Sequence, residues 1–265
     1  KYDWGVWALP LEEYLVYKLS AVMPQEYEKE ALKAQAVLLR TEVVEALREE
    51  DTKSLQISGG GMERWYETDT GSEAYLPWRQ AVEETAGLYL CCEGEPIQAS
   101  YFKLSNGQTR DAAEVWDTDT RPYLTGISCV QDKAARDYSS IVKVSRTNYV
   151  RTLQARLTGN FSQQEILEGA AVSYDSAGYV TKVSFSAENK ETQEIDGEEF
   201  RYLFDLPSAS FEMEQEKTQV IFRVTGVGHG FGMSQYGANC MALNGETYDQ
   251  ILAEFFFRTE LAKFE

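Results

Sequence analysis

LEEYLVYKLSAVMPQEYEKEALKAQAVLLRTEVVEAL, residues Leu11 to Leu47, is the stretch that organises the chain. It predicts two helices joined at a kink. In the second half Leu32, Ala36, Leu39, Val43 and Leu47 recur at spacings of three and four, so they share one helical face. Glu28, Lys29, Lys33 and Glu42 lie away from the centre of that stripe. Pro24 interrupts the pattern, because proline has no N–H to give to the preceding turn. The kink falls at Val22-Met23-Pro24-Gln25, where a helix end can present one side chain.

The chain has 265 residues, 43% of them hydrophobic, with 16 Tyr, 12 Phe and 5 Trp, enough for a substantial core. Its net charge of −18 repels polyanions, which argues against nucleic acid and anionic membrane surfaces as nonspecific partners. It leaves room for a locally basic groove. No run is long and apolar enough to span a membrane and no signal peptide is evident; the dense start at Lys1 reads as a trimmed one. Cys91, Cys92, Cys129 and Cys240 lack a CxxC spacing and His229 is the single histidine, so neither a zinc site nor any other metal or cofactor is expected. Buried thiols are expected, with one disulfide from Cys129 to Cys91 or Cys92 as the pairing to test.

Further along, a strand is expected over Lys1–Leu9 and a polar loop over Glu49–Gly71, around Gly59-Gly60-Gly61. A third helix is predicted over Glu73–Gly87. Residues 88–91 and 96–102 read as a hairpin around Gly94, and 105–109 as a tight turn. Residues 117–138 look irregular. Strands are predicted near Ile141–Val144, over 179–185, 211–213 and 219–225. Helices are predicted over 149–157, 163–167, 197–206 and 248–257. Helices mixed with hairpin strands, without βαβ alternation, imply an α+β fold: paired N-terminal helices on a mainly antiparallel sheet. A single domain over 1–265 is expected, with a smaller inserted lobe at about 130–220.

The second informative stretch is VTGVGHGFGMSQYGANCMA, Val224 to Ala242. Its glycines at 226, 228, 230, 232 and 237 permit positive φ and close backbone approach. His229, Ser234, Gln235 and Tyr236 stand among them. The bland reading is a turn before a helix starting near Ser234, with His229 merely packed. The partners of a dinucleotide fingerprint, a phosphate-loop lysine and a nucleophile elbow are all missing.

Ordered motifs then resemble the SpoIID/LytB family. They are L-E-E-Y-L at 11–15, M-P at 23–24, E-A-L-K-A-Q-A at 30–36, R-T at 40–41 and A-V-x-x-T-x-G at 81–87. P-I-Q-A at 96–99, S-N-G-x-T at 105–109, E-V-W at 114–116 and P-Y-L at 122–124 follow. G-H-G-x-G-M-S-Q-Y-G-A at 228–238 and M-A-x-x-G at 241–245 complete the series, and about 130–220 matches only loosely. The resemblance implies an extracytoplasmic protein, anchored by an N-terminal segment outside this sequence. It implies lytic transglycosylase chemistry on peptidoglycan strands stripped of stem peptides, beside a wall amidase and a membrane protein of the same sporulation machinery.

That chemistry uses one carboxyl. It protonates the glycosidic oxygen, then takes the proton of the muramic C6 hydroxyl as that oxygen closes on C1 to leave a 1,6-anhydro end. The resemblance assigns the task to the Glu of an S/A-E-M-P motif, where this sequence reads Ser20-Ala21-Val22-Met23-Pro24. Val22 can neither donate nor accept a proton. The expectation is a glycan-strand-binding protein of wall remodelling with impaired catalysis; the alternative is an active transglycosylase using a substitute carboxyl, Glu26 first. Glu26, Glu28 and Glu30 otherwise read as solvated charges favouring a helix N-terminus, with Glu30 supporting the helix start.

The substrate-binding candidates in the matching motifs are Gln35, Arg40, Ser105, Asn106, Thr109, His229, Ser234, Gln235 and Tyr236. Lys33, Arg40, Lys103, Arg110 and Arg121 are the cations a groove for lactyl carboxylates would use; Tyr101, Trp116, Tyr123 and Tyr236 are candidate sugar-stacking rings.

Overall fold

The computed structural model describes residues 9–49, 70–116 and 120–264. All of the strand expected over Lys1–Leu9 except Leu9, and most of the loop expected over Glu49–Gly71, lie outside the described residues. In chain order the helices are α1 (Leu11–Val22), α2 (Lys29–Glu49), α3 (Leu76–Glu84), α4 (Ala112–Trp116), α5 (Arg146–Arg156), α6 (Gln163–Glu168), α7 (Gly197–Leu203), α8 (Gln235–Leu243) and α9 (Tyr248–Phe255). The strands are β1 (Leu88–Cys92), β2 (Glu95–Pro96), β3 (Tyr101–Phe102), β4 (Ser139–Ser145), β5 (Ala170–Tyr174) and β6 (Val180–Phe185). After them come β7 (Gln193–Asp196), β8 (Phe211–Gln215), β9 (Gln219–Thr225), β10 (Met233–Ser234) and β11 (Glu260–Lys263). Apart from the two-residue parallel pair β3–β10, these strands pair antiparallel. The fold is α+β, as the pattern of elements implies.

The described residues form two compact units, one up to Ser100 together with Ala238 onward, the other Tyr101–Gly237. In the first, α1 ends where the sequence places the kink. Met23 is extended (φ −128°, ψ 134°), the conformation that a following proline imposes on its predecessor. Helix α2 is more deeply set than its stripe suggests: Ala31, Leu32 and every residue from Ala34 to Thr41 are buried. It touches α1, α3, β1, β2 and α9, so neighbours cover several of its faces. Small residues at 31, 34 and 36 let those neighbours approach.

β1 and β2 form the expected hairpin, turning at Glu93 and Gly94 with φ of 54° and 84°, the two positive values a type I′ turn needs. The second strand is shorter than predicted. It stops at Pro96, which has no N–H for a ladder; Tyr101–Phe102 already belongs to the second unit and pairs there with β10. β11 runs along the opposite edge of β1, Leu88 facing Lys263 and Cys91 facing Glu260. Cys91 and Cys92 are free thiols, so the disulfide expected from Cys129 to either of them is not formed.

The second unit holds the sheets β4–β9–β8 and β5–β6–β7. Their core is aromatic: Tyr149, Phe185, Phe200, Phe204, Phe211 and Phe222 pack with α5, α6 and α7. Gly197 opens α7 where a Cβ would lie 1.9 Å from the Val180 carbonyl oxygen, so a side chain there would separate α7 from β6. The third predicted helix starts as a 3₁₀ turn (Glu73–Tyr75) and ends at Glu84, before Gly87.

Candidate functional site

In the first unit the kink is a pinned turn. The Met23 N–H closes α1 on the Leu19 carbonyl at 2.9 Å, and the Trp78 indole N–H donates to the Met23 carbonyl at 3.0 Å. The Glu28 N–H, just ahead of α2, donates to the Asn239 side-chain oxygen at 2.7 Å. Val22 is the last residue of α1 and half-buried; Pro24, Gln25, Glu26 and Glu28 are exposed.

The carboxylates near the kink divide clearly. Glu30 accepts the Tyr248 N–H at 2.8 Å and the Lys33 ammonium at 2.8 Å, which fits the supporting role read from its motif. Glu26 stands exposed on the connector. Lys33 also sits 4.5 Å from the centre of the Tyr248 ring and 3.7 Å from Glu84.

Gln35 and Arg40 carry no exposed surface. The Arg40 fork is bidentate on Glu12, at 2.9 and 2.6 Å, and also donates to the carbonyls of Leu88 (2.9 Å) and Val82 (3.3 Å). Its geometry fastens α1, α2, α3 and β1 together.

The motif residues of the second unit meet, but as a frame. Asp132, on a 3₁₀ turn (Val130–Ala134), is fully buried. Its Oδ2 accepts the Ser234 hydroxyl at 2.6 Å and the Ser105 N–H at 2.8 Å, while its Oδ1 is buried without a hydrogen-bond partner. Burial raises the Asp132 carboxyl above the usual aspartate range, against the lowering pull of Ser234 and Ser105. Ser105 Oγ accepts the Gly107 N–H at 3.0 Å, and Ser234 Oγ accepts the Gly237 N–H at 3.2 Å.

Asn106 accepts the Gln108 N–H (3.1 Å) and donates to the Ala177 carbonyl (2.8 Å) and Ser210 Oγ (2.9 Å). Thr109 Oγ1 accepts the Ile127 N–H at 2.9 Å. The asparagine and the two motif serines thus satisfy turn backbone that would otherwise be buried unpaired.

His229 follows the same rule. Its Nδ1 accepts the Phe231 N–H at 3.1 Å, which leaves Nε2 protonated and donating to the Tyr101 carbonyl at 3.0 Å. Burial lowers its pKa and keeps the ring neutral. With both nitrogens engaged, His229 fixes the loop. Gln235 is buried; Tyr236 is half-buried and its N–H donates to the Lys103 carbonyl at 3.2 Å.

The glycines are explained by close approach. Val227 exchanges two backbone hydrogen bonds with Leu104, at 3.0 and 2.7 Å. A Cβ on Gly228 (φ +118°) would lie 2.6 Å from the Phe102 Cβ, and one on Gly230 (φ +85°) 2.7 Å from the Tyr179 ring.

The cations expected to line a groove are engaged elsewhere. Arg110 is buried on Asp175 at 2.6 Å and stacks 4.6 Å from the Phe231 ring centre. Lys103 pairs with Asp137 at 2.9 Å, and Arg121 lies 4.7 Å from the Trp116 ring centre. Among the expected stacking rings Tyr123 is buried, whereas Trp116 is 42% exposed, with Phe231 stacked on it at 4.3 Å. Asp132 and Asp175 escaped sequence reasoning: each lies outside the motifs and owes its role to a partner 102 or 65 residues away.

Comparison with known proteins decides the family. The SpoIID family model, described as stage II sporulation protein, matches residues 4–91. Stage II sporulation protein D of Bacillus subtilis (strain 168) is 30% identical over 268 residues, covering 96% of this chain and 75% of the relative. The chain belongs to the SpoIID family. Its counterpart in Bacillus amyloliquefaciens is 29% identical over 275 residues, with 96% and 75% covered. A Bacillus subtilis protein named amidase enhancer is 26% identical over 289 residues, covering 91% of this chain and 39% of the relative.

Proposed function

We propose that this SpoIID-family chain binds peptidoglycan glycan strands in bacterial wall remodelling of the sporulation type and is impaired in cleaving them. The relatives named stage II sporulation protein D and amidase enhancer support the wall and sporulation context. The proposal extends, on the family resemblance, to a wall amidase and a membrane protein as partners, at an extracytoplasmic site reached through an N-terminal anchor. The observation that carries the impairment is Val22 as the terminal residue of α1, in the motif position where the family resemblance expects a general acid.

A helix end pinned on both sides holds its side chain where chemistry demands sub-ångström placement. Glu30 is committed to Tyr248 and Lys33, and Glu26 is an exposed connector residue, which disfavours either as a substitute. Trp116, 42% exposed, is the candidate ring for stacking on sugar with the most open surface.

The test is incubation of the purified chain with denuded glycan, followed by mass analysis and a sedimentation assay for binding. Saturable binding without 1,6-anhydro products is expected. Release of anhydro ends by the unmodified chain overturns the impairment, and absence of binding overturns the glycan-strand role. Val22→Glu is expected to restore cleavage.

A further inference from the structure

Between Met23 and Glu28 the chain leaves one helix and enters the next with exposed residues at 24, 25, 26 and 28. Its internal tie is the bond from the Tyr27 N–H to the Pro24 carbonyl, at 3.3 Å. Two side chains from distant sequence hold its ends. The Trp78 indole N–H takes the Met23 carbonyl, and the Asn239 side-chain oxygen takes the Glu28 N–H.

Neither bond is helical repetition. An α-helix leaves its last carbonyls and first N–H groups without internal partners, and these two side chains meet one such group at each end of the break. Both are anchored in packed elements: Trp78 in α3, against the Tyr75 ring at 5.6 Å, and Asn239 in α8. A second link runs from α2 to the start of α9, through Glu30 and the Tyr248 N–H.

We propose that Trp78 and Asn239 are positioning residues, a two-point clamp that sets where the end of α1, and hence the side chain at position 22, is held. This rests on the reading of position 22 as the catalytic seat. It goes further in assigning the geometry of that seat to two residues outside the α1–α2 stretch. They act through backbone groups and touch no substrate. The clamp predicts an asymmetry: removing either point loosens the connector without unfolding α1 or α2, whose burial is separate.

Trp78→Phe keeps the ring and deletes the N–H; Asn239→Ala deletes the acceptor; Asn239→Asp keeps an oxygen acceptor and serves as the rescue. The first readout is amide hydrogen exchange of the full chain, which needs no activity. Asn239→Ala is expected to speed exchange at the Glu28 amide at least about tenfold while mid-α2 amides stay protected. Asn239→Asp should retain most of the protection. Unchanged exchange at Glu28 in Asn239→Ala overturns the clamp, as does equal loss of protection throughout α2.

The second readout is kinetic, in the Val22→Glu background. Trp78→Phe and Asn239→Ala are expected to lower kcat about ten- to a hundredfold with KM little changed. A change confined to KM overturns the positioning role. If Val22→Glu is itself inactive, the seat reading fails, and the exchange measurement still decides the clamp.

Discussion

The Ser234 hydroxyl donates to Asp132 Oδ2 at 2.6 Å, joining the glycine-rich loop to a 3₁₀ turn 102 residues earlier. The same oxygen takes the Ser105 N–H, so one atom gathers the motifs at 105–109 and 228–238. The raised pKa means the ionised form is penalised in the fold. Its stability contribution is therefore full below the ordinary aspartate value of 3.8 and falls as pH rises through the folded value. Asp132→Asn keeps an oxygen acceptor and removes the charge, so its melting temperature should equal or exceed that of the unmodified chain at neutral pH. The difference should vanish on acidification. Asp132→Ala removes the acceptor and should cost about 1–3 kcal/mol in urea unfolding.

Arg110 and Asp175 form a pair with 2% and 1% of their side chains exposed. Deleting one partner strands a buried charge. Asp175→Ala should destabilise by about 3–5 kcal/mol, read from the denaturation midpoint. Arg110→Met combined with Asp175→Leu should recover much of that, because a hydrophobic replacement of both leaves no charge to desolvate.

Glu42 on α2 is held up to about 7, by burial first and by Glu45, against the lowering pull of Lys18. The sign is that of Asp132: stability is lost as pH rises from the ordinary value of 4.5 through about 7. Glu42→Gln should leave stability unchanged in acid and raise it at alkaline pH by up to about 3 kcal/mol. Thermal melts of both chains across that window check it.

These effects also mark what the sequence discloses and what it hides. The break at Pro24 and the termini of α1 are legible because proline acts locally on itself and on Met23. The burial of α2 beyond its stripe is not, since it depends on α3, β1 and α9 arriving from elsewhere. β11 is short and carries two charges, and becomes a strand through pairing with β1 some 170 residues away. Site residues divide similarly. The polar members of S-N-G-x-T and G-H-G-x-G-M-S-Q-Y-G-A look like ligands on paper, yet the structure turns Ser105, Asn106, Ser234 and His229 towards backbone. Arg40 is similar, because residue type does not reveal whether a guanidinium meets Glu12 or solvent.

Trp116 is the most exposed of the expected stacking rings, and under the proposed function it contributes apolar area to a sugar face. Trp116→Ala should weaken binding to denuded glycan about tenfold while leaving the melting temperature within a few degrees. Binding isotherms at constant salt separate this from electrostatic changes.

Introducing Glu at position 22 tests the helix end itself. The last turn of α1 contains no basic residue, so the partial negative charge of its carbonyls faces any anion placed there. A carboxylate at Val22 should cost about 0.3–1 kcal/mol when ionised and nothing when protonated. Half-burial adds in the same direction. The introduced carboxyl should therefore titrate above an ordinary glutamate, and the variant's deficit should grow as pH rises through that value. Carbon-detected NMR titration of the new side chain measures it directly. The same shift keeps the acid protonated at milder pH, the state from which it must donate to a glycosidic oxygen. A titration at or below the ordinary glutamate value would mean that this helix end does not favour the acid form, and the restored cleavage expected of Val22→Glu would lose its physical basis.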